Sequence, residues 1–449
     1  MIHPVLSKVA EATQGSKFEN QLWVVGGAVR DFLLGKVRPT DLDIVLEGSS
    51  SELARFLFKA GICDHAPVVY ARFGTAMVGI DGVDVEIVTA RSESYRDESR
   101  KPIVRPATLH DDALRRDFTI NTLLWNLHSH KLFDPLGVGQ EDLRNGVLRT
   151  PMEPKQTFHD DALRMLRAVR FRWKFNLKPA PGVHEAIREC ADRLKVISME
   201  RIRDELSKML LLPSASFCMR ELLDLGLMPF IAPELCQLVG VEQGKNHRLD
   251  AWDHTMAVLD AAGHDDLELA LAALLHDVGK PTTRTVDSSG KTRFFNHEVV
   301  GSEMSTKILR RLRYPSEIVQ GVALLVRNHM RIYSAPKFSP TAARRLIRDV
   351  GASVDKLLLL CEADCKGGKV KEDFGAFRQI RQMLNQVQRE APLGSLKSPL
   401  NGLEIMDALG LDEGKEVGRA SAFLDTLVLD GKIKAGDKMA ALKALKKEF

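Results

Sequence analysis

Short apolar runs mark the first third of the chain, and apolar residues at helical spacing mark the rest. Residues 22–25, 42–46, 75–80, 83–88 and 123–127 are brief and rich in Val, Ile, Leu and Thr, which predicts strands. Helical stretches lie between them, so residues 1–150 predict an α/β or α+β head. From Phe158 onward the period changes. Leu163, Met165, Leu166 and Val169, then Ile187, Leu194, Ile202, Leu206, Leu210 and Leu211, recur as on one side of a helix. The remainder therefore predicts an almost wholly helical protein, broken near 151–154, 179–181, 213, 233, 288–290 and 392–399. A chain of 449 residues is too long for one ordinary core. The expected division is 1–150, 151–215, 216–392 and 393–449.

The head carries the densest chemistry. Gly26-Gly27-Ala28-Val29-Arg30-Asp31 precedes Asp41-Leu42-Asp43 and the apolar Ile44-Val45-Leu46. On one strand Asp41 and Asp43 point to the same side. Two carboxylates that close repel unless a cation sits between them, and a hard ion such as Mg²⁺ suits oxygen ligands. Twin glycines bring backbone N–H groups close to phosphates, and Arg30 adds positive charge. Together these residues predict phosphoryl or nucleotidyl transfer. Glu86, in Val83-Asp84-Val85-Glu86-Ile87-Val88, either belongs to a solvated strand face or joins the acids, positioning metal or activating the attacking hydroxyl. Arg115-Arg116-Asp117-Phe118-Thr119-Ile120-Asn121 is either a charged helix start or a grip on triphosphate and ribose. Arg72-Phe73-Gly74-Thr75 is either a turn into a strand or a ligand contact.

Asp160-Asp161-Ala162-Leu163-Arg164-Met165-Leu166-Arg167 follows. Spacing of three predicts Asp161, Arg164 and Arg167 along one side of a helix. The bland reading is an intrahelical ion pair. The sharper one is base selection: a carboxylate accepts and a guanidinium donates. Such a pair matches the amine and ring nitrogen of cytosine and adenine and mismatches guanine and uracil.

The order Gly-Gly-x-x-Arg-Asp, Asp-x-Asp, Arg-Arg-Asp-Phe-Thr-x-Asn, Asp-Asp-x-x-Arg-x-x-Arg resembles the class II tRNA nucleotidyltransferases. These are the CCA-adding enzymes of the polymerase β-like superfamily, which also includes bacterial poly(A) polymerases. Asp134-Pro135-Leu136-Gly137 with Gly139 resembles the family's hinge, and Ile197-Ser198 with Glu200-Arg201-Ile202 its neck-helix motif. The resemblance implies an α+β fold. A polymerase β-like head with a small mixed sheet is followed by an all-α neck, an HD-type helical domain and a helical tail. It implies template-independent addition and repair of the 3′-terminal CCA of tRNA from CTP and ATP. It further implies Mg²⁺ on Asp41 and Asp43, and phosphate or ribose contacts from Gly26, Gly27, Arg30, Arg115, Arg116, Asp117 and Asn121. Base reading falls to Asp161 and Arg164, with Arg167 in support. Residues 91–108, with Arg91, Tyr95 and Arg100, match the flexible loop of full CCA-adding enzymes. Asp160 stands where the family usually has Glu, and the hinge reads Gly-Val-Gly where adjacent glycines are common.

Three rivals follow from the same resemblance. A poly(A) polymerase would carry Gly-Arg-Arg/Lys-Phe where this chain has Tyr70-Ala71-Arg72-Phe73, and a long basic tail. A CC-only enzyme would lack the loop; an A-adding enzyme stays open. A phosphohydrolase with an RNA-binding head would need loss of Asp41 or Asp43, and both are present.

The helical half holds a second group. His254, His276-Asp277 within Leu274-Leu275-His276-Asp277-Val278-Gly279-Lys280, His297, His329 and Asp364 make a nitrogen–oxygen set suited to Mn, Fe, Ni, Zn or Mg. The set resembles the HD phosphohydrolases. That implies His254, His276, Asp277 and Asp364 as ligands, His297 and His329 in second place, and a divalent ion such as Mn²⁺ or Ni²⁺.

A net charge of +4 permits a nucleic-acid partner without requiring one. Six scattered cysteines without a CxxC pair suit a reducing cytoplasm. Neither a signal peptide nor a membrane span is expected. The lysines at 432, 434, 438, 443, 446 and 447 are either a solvated helix face or an RNA contact.

Overall fold

The computed structural model describes residues 3–36, 41–96, 99–243, 249–288, 290–332, 338–368, 374–390 and 395–449. Its residues cluster into two compact units: 1–205 with 221–230, and 206–220 with 231–449.

The first unit is built on a seven-stranded mixed sheet. Its strands are β1 (Trp23–Val25), β2 (Leu42–Leu46), β3 (Val68–Tyr70), β4 (Thr75–Ile80), β5 (Val83–Thr89), then, beyond a separate hairpin of β6 (Arg91–Arg96) and β7 (Ser99–Pro106), β8 (Leu124–Asn126) and β9 (Leu132–Phe133). The order is β3-β4-β5-β2-β1-β8-β9. β2 and β5 run parallel and the other neighbours antiparallel. The predicted runs 42–46 and 75–80 match β2 and β4, and 83–88 falls one residue short of β5.

Helices α1 (Pro4–Thr13), α2 (Gly27–Leu33) and α3 (Ser50–Lys59) add their apolar faces to the sheet. Alternate residues Leu42, Ile44, Val85, Ile87, Ala76 and Val78 are buried at 0–1 % exposure, and Leu53 and Leu57 of α3 join the same core. Burying each large apolar side chain contributes about 1.5–3 kcal/mol, which fixes which face of every strand turns inward. The other face carries a smaller core of Val25, Val45, Ala90 and Leu124, and beside it the acidic residues. α3 starts where the Ser49 hydroxyl accepts from the Glu52 N–H. α4 (Leu109–Leu114) starts on a reciprocal pair between Thr108 and Asp111.

Past α5 (Gly139–Asn145), α6 (Pro154–Asp160) and α7 (Leu163–Phe175) are separate helices. The expectation that Asp161, Arg164 and Arg167 lie along one side of a helix is thus corrected. Asp161 is extended (φ −143°, ψ 103°), and its carboxylate accepts from the Leu163 N–H. Aspartate competes with helical hydrogen bonding in this way. Asp161 therefore does not share a helix face with Arg164 and Arg167. α8 (Val183–Cys190) and α9 (Met199–Leu210) follow.

The second unit is helical, as expected, apart from a hairpin of Arg284–Val286 and Thr292–Phe294 that the apolar pattern did not predict. Its centre is formed by helices Ala251–Ala262, Leu267–Leu275, His297–Arg311, Ser316–Asn328 and Val354–Gly367. Among the described residues no helix is long and apolar enough to cross a membrane.

Candidate active site and metal centre

Asp43 lies on the open face of β2, directly opposite Val25 of β1 and Glu86 of β5. Asp41 stands two residues earlier, just ahead of the strand, and is exposed. Burial first, then Glu86 and Asp41, push Asp43 up to about 6, against the partial relief given by Arg116. Glu86 is thus part of the acid group rather than a remote strand face. A divalent cation fits this donor set, because it offsets the repulsion that burial amplifies. The turn before α2 leaves room for it. Gly26 has φ +77°, and a Cβ there would stand 3.5 Å from Asp43 Oδ2 and 3.8 Å from Arg116 Nη1. These are ordinary contact distances, so it is the positive φ that calls for glycine here.

Arg115 and Arg116 are held by a residue the sequence reading did not single out. Asp112 is 2 % exposed and accepts Arg115 Nε at 2.9 Å on one oxygen and Arg116 Nε and Nη2 at 3.0 and 2.9 Å on the other. The spacing i, i+3, i+4 was the available signal. Burial alone would raise Asp112; the two guanidiniums override it and hold the carboxyl below its usual range. Asp112 also accepts the Arg91 N–H, and the Arg91 carbonyl accepts Arg115 Nε at 3.0 Å. The root of the β6–β7 hairpin is therefore tied to the arginine pair. The side chains of Tyr95 and Arg100 lie outside the described residues.

Arg30, Asp117 and Asn121 bond to one another and to α7. Arg30 is 4 % exposed, donates to Asp31 and Asn121, and lies 4.4 Å from the Phe175 ring centroid. Asp117 accepts Phe118 N and Asn121 Nδ2 on one oxygen and Arg167 Nε at 2.8 Å on the other. Arg170 of α7 meets Glu205 at 2.6 Å. These contacts make Arg30, Asp117 and Asn121 a joint between the glycine turn and α7. Asp117→Ala is expected to destabilise the protein by roughly 3 kcal/mol, because Arg167 and Asn121 lose a buried partner. Urea unfolding of the purified variant measures this, and a change below about 0.5 kcal/mol would contradict it.

Asp161 pairs with Arg201 of α9 at 2.8 Å, a partner the sequence reading quoted only as part of a neck motif. Arg164 is 8 % exposed and donates to the carbonyls of Thr157 and Arg115. The expected intrahelical ion pair is replaced by these contacts.

In the second unit the expected histidines converge. His254, His276 and Asp277 form one group of mutually close ligand atoms, all within 4.8 Å, and Asp277, His297 and His329 another. All five residues are buried. Nδ1 of His276, His297 and His329 faces the backbone carbonyls of Ala273, Phe294 and Val326 at 2.8, 2.9 and 2.6 Å. Those contacts place a proton on each Nδ1, which leaves Nε2 of a neutral ring a bare lone pair; at His276, against the effect of burial, Asp277 and Asp364 favour the protonated ring when no metal is bound. Yet His276 Nε2 lies 3.4 Å from His254 Nε2, and His297 Nε2 lies 3.3 Å from His329 Nε2. For His297 and His329 two facing lone pairs that close need a cation between them, whereas His254 Nε2 faces Asp364 Oδ1 at 2.9 Å. Asp277 presents Oδ2 to His276 at 3.2 Å and Oδ1 to His297 at 3.5 Å, one oxygen to each group. Burial and His276 lower His329 to about 4, so it is neutral at physiological pH and fit to ligate. Asp364 lies 2.9 Å from His254 Nε2 but belongs to neither close group. His297 and His329, placed second by sequence, stand level with the rest.

Known proteins were compared with this chain. Residues 22–149 match the family described as Poly A polymerase head domain, 176–238 that described as probable RNA and SrmB-binding site of polymerase A, and 245–364 the HD domain. A CC-adding tRNA nucleotidyltransferase of Thermus thermophilus is 35 % identical, over 91 % of this chain and 90 % of its own length. An A-adding tRNA nucleotidyltransferase of Deinococcus radiodurans is 33 % identical, over 88 % of each. A multifunctional CCA protein of Chromobacterium violaceum is 31 % identical, over 77 % and 84 %. The fold resembles that of the Bacillus stearothermophilus CCA-adding enzyme in complex with CTP, with a TM-score of 0.72, 23 % identity and coverage of 99 % and 98 %.

Proposed function

The chain belongs to the tRNA nucleotidyltransferase family, and we propose that it completes the 3′ end of tRNA with C and A from CTP and ATP, without a template. The placement of Asp43 opposite Glu86, beside the Gly26 turn and Arg116, carries this reading. Mg²⁺ on Asp41 and Asp43 would activate the RNA 3′-hydroxyl and neutralise charge on the α-phosphate. Arg115 and Arg116, fixed by Asp112, supply positive charge for the triphosphate. Gly26 and Gly27 let it approach the backbone. Asp161 offers an acceptor and Arg164 a donor to the incoming base, in place of a template. Arg201 holds the Asp161 carboxylate in place, and the bond from Arg164 to the Arg115 carbonyl couples base choice to the phosphate grip. Arg30, Asp117, Asn121 and Arg167 join the glycine turn to α7 and thereby position the side on which phosphate and ribose would lie. The matches at 22–149 and 245–364 support a head and an HD domain within this division, and the match at 176–238 runs across the boundary placed at 215.

A second reading is partial addition, favoured by the CC-adding and A-adding names of two relatives that span about nine tenths of the chain. One experiment separates them. Purified protein receives tRNAs ending before C74, C75 and A76 with each labelled nucleoside triphosphate in turn. Full addition gives C, C and A and then stops. Stopping after the second C, or acting only on the last substrate, establishes partial addition, and failure with all three overturns the family activity here.

For the second unit we infer a two-ion centre of Mn²⁺ or Ni²⁺ on His254, His276, Asp277, His297 and His329 that hydrolyses phosphate esters. Its ions would supply Lewis-acid activation of water. The two ligand groups that share Asp277 and the facing Nε2 atoms of His297 and His329 support this reading.

A further inference from the structure

The ladder register extends the acid-bearing face of the sheet well beyond the acids. Directly paired residues share a face. Asp43 pairs with Glu86, Glu86 with Met77, and Met77 with Val68. The next row runs from Val45 to Val88, Thr75 and Tyr70. Three strand spacings separate Asp43 from Val68, about 14 Å. The opposite face along these strands is core. On the acid face, Met77, Glu86 and Val88 are only half-buried, whereas Val45 and Thr75 are buried, so the Asp43–Glu86–Met77–Val68 row is the open one. Val68 and Tyr70, on the edge strand, are 46 % and 51 % exposed. Phe73, in the turn that follows, is 47 % exposed. Arg72 beside it has no carboxylate partner among the described residues. Arg72 and Arg91 line a cavity of about 590 Å³ next to this edge, with Ser49 and Thr89.

We propose that this strip binds the unpaired 3′ end of the RNA substrate, its last bases against Tyr70, Val68 and Met77 and a backbone phosphate on Arg72. The inference rests on the nucleotidyl-transfer reading and assigns it a substrate side. In-line transfer brings the attacking hydroxyl and the leaving pyrophosphate to opposite sides of the α-phosphorus. The Gly26 turn and Arg116 lie on the β1 side of Asp43 and take the triphosphate. The attacking chain must then come from the other side, which is β5, β4 and β3. Exposed aromatics and an unpaired guanidinium are the chemistry that holds single-stranded RNA. A protein surface that must accept both C and A ends gains from stacking, since every base has a π-face.

Tyr70→Ala tests this, with steady-state incorporation on tRNA lacking its last three nucleotides. The KM for tRNA is expected to rise about tenfold while the KM for CTP stays within twofold. Tyr70→Phe should restore the KM for tRNA, since the ring and not the hydroxyl does the stacking. Arg72→Gln should weaken tRNA binding and reduce its salt dependence by about one phosphate contact. Tyr70 and Arg72 are exposed, so the fold should survive, and circular dichroism checks this. An unchanged KM for tRNA in Tyr70→Ala overturns the proposal, as does a rise in the KM for CTP alone. A change in sedimentation with no change in KM also overturns it and makes the strip a contact between copies. Absence of incorporation by the unmodified protein would instead sink the transfer reading itself.

Discussion

Asp43→Asn should abolish nucleotide incorporation, by about a thousandfold or more, while leaving a protein no less stable than the original in EDTA. The two halves of this result have one origin. Without a cation, the half-buried Asp43 carboxylate faces Glu86 and Asp41, and it is pushed up to about 6. A tenfold change in proton affinity is about 1.4 kcal/mol, so holding Asp43 ionised at neutral pH costs on the order of 2–3 kcal/mol that asparagine does not incur. The same repulsion makes the site a good cation holder. Removing the charge removes the ion and the stabilisation of the transferring phosphate, for which losses of two to three orders of magnitude per group are usual. Asp41→Asn should lose activity similarly but gain no stability, because Asp41 is exposed. Incorporation of labelled CTP and thermal unfolding in EDTA read both effects. An active Asp43→Asn variant would overturn the metal assignment. A markedly less stable one would mean that the carboxylate serves packing.

How much of this was legible in the sequence depended on whether the information was local. β2 and β4 could be read to the residue because alternation and β-branching lie within the strand. The runs around β1 and β8 were read too long, because Leu22, Leu123 and Leu127 are core residues outside the ladders. β3 was missed: an edge strand of three residues with exposed Val68 and Tyr70 has no inward alternation to detect. The break at Asp161 was overridden by the periodicity on either side, although an aspartate two residues ahead of an apolar run is a capping signal. Asp41, Asp43, the twin glycines and the arginine pair were found because each motif is contiguous. Their meaning was less visible. Glu86 acquires its place only through register, Asp112 only by turning back onto two arginines, and Arg201 only by reaching Asp161 from another helix. His297 and His329 were ranked low because spacing says nothing about which ring nitrogen points inward.

That orientation gives the second large effect. The protein reconstituted with Mn²⁺ should bind two ions per chain, and Asp277→Asn should bind neither tightly. His329→Gln should keep one, and His254→Gln should keep the other. The asymmetry follows from the carboxylate: Asp277 gives one oxygen to each histidine pair, whereas every histidine belongs to one group only. Asparagine is the informative replacement, because it retains an acceptor for Lys280, which lies 2.5 Å from Asp277 Oδ2. A smaller residue would leave the half-buried Lys280 ammonium only Gln243 Oε1 as acceptor and confuse folding with metal loss. Metal analysis after gel filtration gives the stoichiometry, and the rise in melting temperature on adding Mn²⁺ gives an independent reading through linkage. Hydrolysis of a cyclic phosphate ester should disappear in Asp277→Asn, while CTP incorporation, which uses the head acids, should persist. Two ions retained in Asp277→Asn would show that the histidine pairs bind metal without the carboxylate between them. One ion in the unmodified protein would reduce the centre to a single site and leave the His297–His329 pair to be explained by a shared proton.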